Sequence, residues 1–247
     1  MVSPNPPLTD PPITYVYIDG FNLYYGCLTR SPWKWLDPLK LCQMSYPDYA
    51  IEKIYYFTAR LTAIKGVRES ARSQQRRIRQ DIYLSAINTI PSVEIVEGYF
   101  RHDQDQKLRV HPLDQPFREE RALVWITEEK RSDVNLATQL LVDAHLDLYH
   151  TALVISNDSD LTAPVENVKK VFKKRVGILC PVLARNDDPR PHDPRGLPPR
   201  PVSSALRGAA SFLDQIKSEH LATCQLPDPI ASSKGRFTKP PAWYSGQ

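Results

Sequence analysis

Stretches of apolar residues alternate with segments of helical periodicity along most of the chain. The apolar stretches predict strands at residues 15–18, 51–59, 93–100, 152–155 and 176–179. Apolar positions three and four apart predict helices at residues 36–44, 67–88, 132–148, 161–174 and 203–216. The alternation from Ala122 onward is typical of a parallel sheet with helices on both faces. The sequence therefore predicts an α/β fold with three layers.

Two acidic residues follow the most apolar of these strands. The strand at residues 152–155 is apolar on both faces, and Asp158 and Asp160 stand between it and the next helix. Ligands of open α/β sheets bind outside the carboxyl ends of the strands, so this turn is a candidate site. Asp160 is also well placed to cap the helix, which requires no further function. Capping explains one acid well, but it explains a second acid two residues earlier poorly.

The first predicted strand also ends in an acid. Residues 15–18 lead into Asp19, and a helix beginning at Gly20 would turn Asp19 and Asn22 to the same side. The alternative is a simple Asp-Gly turn in which Asn22 is a cap. Asp19 and Asn22 are therefore candidate site residues that need partners elsewhere in the chain.

A further acid, Asp133, lies in the first turn of the helix predicted at residues 132–148. Ser132 is the candidate N-cap, and Lys130 supplies a neighbouring cation. The right-handed crossover rule brings the acids to one edge of the sheet: Asp19, Asp133, Asp158 and Asp160. Clustered carboxylates repel each other unless cations neutralise them, and oxygen ligands suit Mg²⁺ or Mn²⁺. The pattern predicts a metal site that hydrolyses phosphodiester bonds in the two-metal manner.

The helix predicted at residues 67–88 carries a stripe of arginines. Spacings of four, four and three residues place these side chains on one face: Arg68, Arg72, Arg76 and Arg79. Arg77 lies beside them, and Arg60 and Lys65 precede the helix. Such a stripe is typical either of a solvated helix face or of a surface that tracks phosphates. The second interpretation uses the planar fork of arginine, which binds phosphate bidentately.

The segment from residue 101 to residue 116 is charged and irregular. It contains His102 and His111, but their spacing gives no compact tetrahedral set of metal ligands. We expect a loop, or a hairpin that pairs the region of Leu108 with residues 123–126. Nearby aromatic residues either stack on bases or fill the core, and the core is the default: Tyr99, Phe100 and Trp125.

Composition and length limit the domain organisation. The chain has 247 residues, 41% of them apolar, with a formal net charge of +4 and a pI near 8.8. This length is sufficient for one large domain, which we expect at residues 13–216. A disordered Pro-rich leader is expected at residues 1–12, a Pro- and Arg-rich loop at 181–201, and a C-terminal tail at 217–247.

Cysteine spacing and hydropathy indicate the compartment. The cysteines are far apart and form no C-x-x-C pair, so neither a zinc site nor a disulfide framework is expected: Cys27, Cys42, Cys180 and Cys224. The chain lacks an apolar stretch of the roughly eighteen residues that a transmembrane helix needs, and its N-terminus lacks a positively charged segment. We therefore expect a cytoplasmic protein with no membrane partner.

Three segments resemble, in order and spacing, the signature segments of NYN domains: Tyr17–Tyr24, Lys130–Val134 and Ser156–Leu161. NYN domains are the LabA-like branch of the PIN-like nuclease superfamily, and the resemblance covers roughly residues 13–180. It implies a Rossmann-like (PIN-like) fold and a metal-dependent ribonuclease. Residue by residue, the resemblance assigns the acidic metal-binding positions to Asp19, Asp133, Asp158 and Asp160, and the conserved polar position to Asn22. Arg131 departs from the family pattern, in which a small residue is frequent.

The leading hypothesis is an endoribonuclease that depends on Mg²⁺ or Mn²⁺. The four acids hold metal directly or through water, Asn22 orients water or phosphate, and basic residues grip RNA: Arg68, Arg72, Arg76, Arg79, Lys130 and Arg131. The expectation that the substrate is RNA, single-stranded or structured, rests on the resemblance alone. DNA is an alternative substrate, and the sequence is also compatible with a homodimer.

Two other functions are alternatives to the ribonuclease. One is a non-catalytic nucleic-acid-binding or regulatory module, against which the acids argue because carboxylates repel phosphate. The other is a phosphatase or phosphotransferase, which the sequence disfavours. Phe21 stands where the haloacid dehalogenase pattern needs a second acid, and a Walker loop is absent.

Overall fold

Six parallel strands form the central sheet, in the order β3-β2-β1-β6-β7-β8. The strands are β1 Ile13–Asp19, β2 Ala50–Thr58, β3 Val93–Glu97, β6 Thr151–Ile155, β7 Arg175–Cys180 and β8 Phe212–Gln215. The structure is a computed structural model, and it describes residues 11–108, 120–184, 188, 200–233 and 235–244. Most of the Pro-rich leader and of the Pro- and Arg-rich loop, together with His111, lies outside these residues.

Helices cover both faces of the sheet, which confirms the predicted α/β fold with three layers. They are α1 Gly20–Leu23 with a π-helical continuation Tyr24–Leu28, α2 Pro38–Ser45, α3 Ala71–Ile87, α4 Ser132–His145, α5 Thr162–Lys170, α6 Ser204–Ala209 and α7 Ser218–Thr223. Successive residues of β1 point to opposite faces, so Val16 and Ile18 enter one core and Tyr17 enters the other. The burial of both faces explains why these strands read as continuous apolar runs.

The strand order reverses between β1 and β6, which are parallel neighbours. From β1 the chain proceeds outward through β2 and β3, and from β6 it proceeds in the other direction through β7 and β8. Such a reversal opens a crevice at the carboxyl ends of the two central strands. Asp19 ends β1, and the loop that carries Asp158 follows β6. The topology thus brings two of the acid-bearing strand ends side by side.

The strand near residues 123–126 does not join the parallel sheet, contrary to the alternation predicted from Ala122 onward. Strand β5 (Arg121–Lys130) instead pairs antiparallel with β4 (Tyr99–Leu108), and Gln104 lies opposite Trp125. Of the two predicted alternatives, the hairpin is therefore the correct one. Trp125 is exposed on this hairpin and does not fill the core, whereas Phe100 contacts the ring of Phe21.

The single helix predicted at residues 203–216 is wrong. The chain instead forms the short helix α6 and then strand β8, which pairs with β7. The N–H of Ser211, just before β8, donates a hydrogen bond to the carbonyl of Val176 in β7. Gly177 of β7 lacks a side chain, and the ring of Phe212 occupies the space where a Cβ would lie. Pairing with the sheet edge therefore overrides the helical spacing of the apolar residues.

Helix α3 begins later than the sequence predicts. Ser70 caps it by accepting a hydrogen bond from Ser73 N–H at 3.2 Å, and the first helical residue is Ala71. Arg68 therefore precedes the helix and is not part of the predicted arginine stripe. Arg72, Arg76 and Arg79 lie on the helix as predicted.

The segment after β8 packs against the domain. Helix α7 contacts α2, and a short antiparallel pair follows, β9 Ile230–Ser232 with β10 Gly235–Phe237. Trp243, in a final 3₁₀ turn, is buried with ring centroids 6.2 Å from Trp35 and 6.1 Å from Tyr83. Of the helices in the described part of the chain, none is both long and apolar enough to cross a membrane.

Candidate active site

Asp19 is the most buried acid at the carboxyl edge of the sheet. It ends β1, and only 6% of its surface is exposed. Its Oδ1 accepts a hydrogen bond from Asn22 N–H at 2.9 Å, which caps α1, and its Oδ2 accepts one from the Ser156 hydroxyl at 3.0 Å. These two bonds hold the carboxylate between the end of β1 and the loop after β6.

Asn22 and Asn157 connect the strand ends to one another. The Asn22 side chain accepts a hydrogen bond from Asn157 N–H at 3.1 Å. The Asn157 side-chain oxygen accepts from Ser203 N–H at 2.8 Å and from the Cys180 thiol at 3.1 Å. The ends of β1, β6 and β7 are therefore fixed relative to each other through side-chain amides.

Asp158 caps the 3₁₀ turn Ser159–Leu161, so the prediction that Asp160 is the cap is wrong. The backbone of Asp158 is extended, and the Oδ1 of Asp158 accepts a hydrogen bond from Asp160 N–H at 3.0 Å. Its own N–H donates to the Ser156 hydroxyl at 3.0 Å. Ser156 thus joins Asp19 to Asp158, while the exposed side chain of Asp160 forms no part of this network.

Asp133 lies in the first turn of α4, as predicted, but Ser132 is not the N-cap. The helix begins at Ser132, and the N-cap residue is Arg131, whose φ of +82° lies in the left-handed region. This conformation favours glycine, which explains why a small residue suits that position. The Ser132 hydroxyl is buried and lacks a hydrogen-bond partner among the described residues.

Electrostatic repulsion couples the acids at this edge. Burial, with the charges of Asp133 and Asp158, raises the pKa of Asp19 to about 6, although hydrogen bonds from Asn22 and Ser156 oppose the shift. The pKa of Asp133 is raised by burial and by the charges of Asp158, Glu129 and Asp160. The structure therefore brings the four predicted acids together, and a fifth acid, Glu129, joins them.

Lysine and arginine do not neutralise this cluster within the described residues. The four predicted acids form no ion pair there. Lys130, predicted as a neighbouring cation, pairs with Glu128 at 2.7 Å. Among the residues that the structure describes, no three His, Cys, Asp or Glu side chains lie close enough to hold a metal ion. Within the described residues, the edge is therefore acidic and without a paired cation.

Glu129, Ser156 and Asn157 are site residues that the sequence did not single out. Alternation along β5 places Glu129 on the face opposite Glu128, and one of its carboxylate oxygens is buried without a hydrogen-bond partner in the described part of the chain. Ser156 and Asn157 immediately precede Asp158 and lie in the segment Ser156–Leu161 that resembles the family signature, so that segment was the available signal. The only sequence signal for Glu129 was its position four residues before Asp133.

The predicted basic residues fall into three environments. Arg68 and Arg72 are exposed near the start of α3. Arg76 and Arg79 line a cavity that also touches Gly20, the residue after Asp19. Lys130 is paired with Glu128, and the Arg131 guanidinium lies 5.1 Å from the centre of the Tyr99 ring. Of the predicted arginines, Arg76 and Arg79 are thus the ones that line a cavity next to the acidic edge.

His102 is held by two threonines. Its ring nitrogens lie 2.8 Å from the Thr62 hydroxyl and 3.0 Å from the Thr127 hydroxyl. These contacts occupy both ring nitrogens of His102.

The chain is similar to individual proteins as well as to a family. The 6-hydroxy-3-succinoylpyridine 3-monooxygenase HspA of Pseudomonas putida (strain DSM 28022 / S16) is 30% identical over 96% of this chain and 77% of its own length. A protein of unknown function from Vibrio parahaemolyticus RIMD 2210633, known from a crystal structure, matches with a TM-score of 0.43 and 11% identity. That match covers 86% of this chain and 97% of the other. Because its TM-score is low, the fold assignment rests on the strand order of this chain alone.

The family model of the NYN domain matches residues 13–189, which include all four predicted acids and Asn22. This range contains the acid-bearing ends of β1 and β6 and the start of α4. It also extends the resemblance seen in the three sequence segments across most of the chain. The chain therefore belongs to the NYN domain family, whose fold is of the nuclease type.

Proposed function

We propose that this protein is a metal-dependent ribonuclease that cleaves RNA internally at the acidic edge of the sheet. The observation that carries the proposal is the convergence of four carboxylates from β1, the start of α4 and the loop after β6 on the point where the strand order reverses. Burial, together with mutual repulsion, raises the pKa of Asp19 and of Asp133. A protein keeps such a destabilising arrangement most readily where a cation completes it.

The donor set fits a hard divalent cation. All the acidic side chains offer oxygen ligands, which Mg²⁺ and Mn²⁺ prefer. Asp19, Asp133 and Asp158 would hold the cation, with Asp160 contributing directly or through water. Asp160 is exposed and Asp133 is only partly buried, so their side chains have room to rotate towards it. When bound, the cation would activate water and stabilise charge on the phosphate.

The remaining residues position the RNA and the acids. Asn22 and Asn157 fix the strand ends, and Ser156 orients Asp19 and Asp158 through its hydroxyl. The proposed RNA-binding surface consists of Arg68, Arg72, Arg76, Arg79, Lys130 and Arg131. Exposed guanidinium groups neutralise phosphates whatever the RNA sequence. The choice of RNA over DNA follows the family, and the cytoplasm suits the four buried free cysteines.

The test is cleavage of end-labelled RNA and DNA, single-stranded and structured, with Mg²⁺, Mn²⁺ or EDTA. Asp158→Asn removes a charge but keeps a residue that caps helices well, so the fold is retained. Asp147→Asn is the matched control, because Asp147 lies beyond the opposite end of α4. We expect metal-dependent internal cleavage by the wild type and the control, and a loss of at least about 100-fold in Asp158→Asn. Equal cleavage by all three proteins, or none, would refute the proposal.

A second candidate function is ring hydroxylation. The identity of 30% to a 6-hydroxy-3-succinoylpyridine 3-monooxygenase over 96% of this chain favours it. The test is oxygen consumption with that pyridine and a reduced nicotinamide or flavin cofactor. Uptake that requires the pyridine would support hydroxylation. Background uptake beside metal-dependent RNA cleavage would leave the ribonuclease as the function.

A further inference from the structure

An aromatic cavity of about 110 Å³ lies beside the acidic edge. It is bounded by α1 and its π-helical continuation, the end of β2, one face of α3 and the 3₁₀ turn near the C-terminus. Six of its lining residues are aromatic: Phe21, Tyr24, Tyr25, Tyr56, Tyr83 and Trp243. Rings on several sides of a small cavity offer stacking and edge contacts to a flat ligand.

The same cavity is positively charged. Lys34, Arg76 and Arg79 line it, and none of its lining residues is acidic. Within the described part of the chain, Arg76 and Arg79 form no ion pair. Lys34 is only 4% exposed, and its pKa is lowered by burial and by the charges of Arg79 and Lys239. A cavity that gathers cations without acids favours an anion.

The walls of the cavity are held in place before any ligand binds. The Gln80 side chain donates to the carbonyl of Ala59 at 3.0 Å and accepts from Leu61 N–H at 2.7 Å, which fixes α3 against the segment after β2. The Tyr83 hydroxyl donates to the carbonyl of Leu36 at 3.0 Å. Because these side chains are already ordered, a ligand loses less free energy in ordering them.

We propose that this cavity binds a small aromatic carboxylate. The rings would stack on the aromatic part of the ligand, and the guanidinium groups of Arg76 and Arg79 would bind its carboxylate bidentately. The charged groups and the rings line the same small space, so the ligand must carry its anionic group on or close to the ring. In a nucleotide, the ribose separates the base from the phosphate. The size and the charge placement therefore favour the free acid over an RNA base.

None of the four acids of the proposed ribonuclease lines the cavity. Arg76 and Arg79 belong both to the cavity and to the proposed RNA-binding surface, so binding of the aromatic acid and binding of RNA share these two residues. Binding of the aromatic acid does not require that it be hydroxylated.

The experiment is isothermal titration calorimetry of the full chain with nicotinate in EDTA. Nicotinamide tests the need for the negative charge, cyclohexanecarboxylate tests the need for the ring, and uridine 5′-monophosphate and a short single-stranded RNA test the nucleic-acid alternative. Arg79→Gln and Tyr24→Leu alter the cavity. Arg72→Gln, on the same helix but outside the cavity, is the matched control, and Asp158→Asn tests independence from the acidic edge.

We expect saturable binding of nicotinate with one site per chain, weakened by at least about tenfold in Arg79→Gln and in Tyr24→Leu. Binding is expected to persist in Arg72→Gln and Asp158→Asn, and to be weaker by a similar factor for nicotinamide and cyclohexanecarboxylate. Absence of saturable nicotinate binding would overturn the proposal. So would equal affinity in Arg79→Gln, tighter binding of the nucleotide than of nicotinate, or RNA binding that Tyr24→Leu weakens as much as it weakens nicotinate binding. Circular dichroism of each variant separates loss of binding from loss of fold.

Discussion

The acidic edge and the aromatic cavity meet at adjacent residues, Asp19 and Gly20, yet they are opposite in charge and in origin. The edge gathers Asp19, Asp133 and Asp158 without a neutralising lysine or arginine in the described residues, whereas the cavity gathers Arg76 and Arg79 without an acid. The two regions therefore favour ligands of opposite charge.

The two regions also differ in what positions their residues. Asp19 and Asp158 follow from strand direction, because parallel strands present their carboxyl ends at one edge, whereas Asp133 is placed by the start of α4 after the β4–β5 hairpin. The cavity depends on long-range packing, which brings Tyr24, Tyr83 and Trp243 together from three distant parts of the chain. Sheet topology therefore determines most of the first region, and only tertiary packing determines the second.

The largest expected effect is on the free energy of unfolding, which the burial of the Asp19 carboxylate lowers in a pH-dependent way. Its pKa is about 6 in the folded chain and near the ordinary value of 3.8 in the unfolded chain. Between these values the folded state holds the extra proton, so the free energy of unfolding falls as pH rises from about 4 to 6. The integrated loss is about 3 kcal/mol, since each pKa unit corresponds to about 1.4 kcal/mol. Urea denaturation in EDTA should therefore show Asp19→Asn gaining stability over the wild type by about this amount between pH 4 and pH 7.5.

Asp147→Asn is the control of opposite sign. Lys174 lowers the pKa of Asp147 through a hydrogen bond and its charge, so this carboxylate stabilises the fold above its ordinary pKa and that contribution is lost in acid. The backbone φ of Asp147 is +60°, which asparagine also tolerates. Its variant should lose stability relative to the wild type at neutral pH. A stability difference for Asp19→Asn that stays constant with pH would contradict the repulsion described at the acidic edge.

The sequence was sufficient to predict where in the fold the acids lie, because each stands at a recognisable boundary between a strand or loop and a helix. Asp19 and Asp158 follow apolar strands, and Asp133 opens an amphipathic helix. The same boundary reasoning failed at residues 203–216, where the apolar positions fit a helical period but a four-residue strand, Phe212–Gln215, forms against the sheet edge. Short strands carry little periodic signal, so pairing with β7 decides the outcome.

The aromatic cavity could not be predicted in this way. Its aromatic residues had core packing as their default interpretation, and its arginines fit a solvated helix face. Trp243 lies in the predicted C-terminal tail, for which the sequence predicts no contacts. Glu129 is recognisable as a site residue only in the structure, where the side-chain alternation of β5 places it near Asp133. The local sequence pattern predicts which face of a helix or strand a residue lies on, but only tertiary packing determines which other residues that face contacts.

A substitution at the boundary should disturb both regions at once. In Gly20→Ala the new Cβ would lie 2.7 Å from Cε1 of Tyr56 and 2.8 Å from the carbonyl oxygen of Phe57. Overpacking of this kind costs about 2 kcal/mol, more than the roughly 1 kcal/mol that alanine gains over glycine in a helix. We expect a lower urea midpoint, weaker nicotinate binding and slower metal-dependent RNA cleavage.

Gly208→Ala supplies the control for this change. Gly208 lies in α6, and no atom approaches within 4 Å of the position of its Cβ. This variant should be as stable as the wild type or slightly more stable, since alanine favours the helix. Loss of only one activity in Gly20→Ala would mean that the two regions do not share the Asp19–Gly20 boundary as a structural element.

The smallest expected effect separates two neighbouring acids of β5. Glu129 raises the pKa of Asp133 and has a buried oxygen without a hydrogen-bond partner in the described residues, whereas Glu128 is exposed and paired with Lys130 on the other face. If the acidic edge holds a cation, Glu129 strengthens it by adding negative charge beside Asp133. Glu129→Gln should then raise the Mg²⁺ concentration needed for half-maximal RNA cleavage by about tenfold, as is typical of groups that act beside the metal ligands. Glu128→Gln removes the same charge from the adjacent residue and should leave this concentration within about twofold, because an exposed ion pair contributes little. Equal shifts in the two variants would mean that net charge, and not the position of Glu129 at the acidic edge, sets the metal requirement.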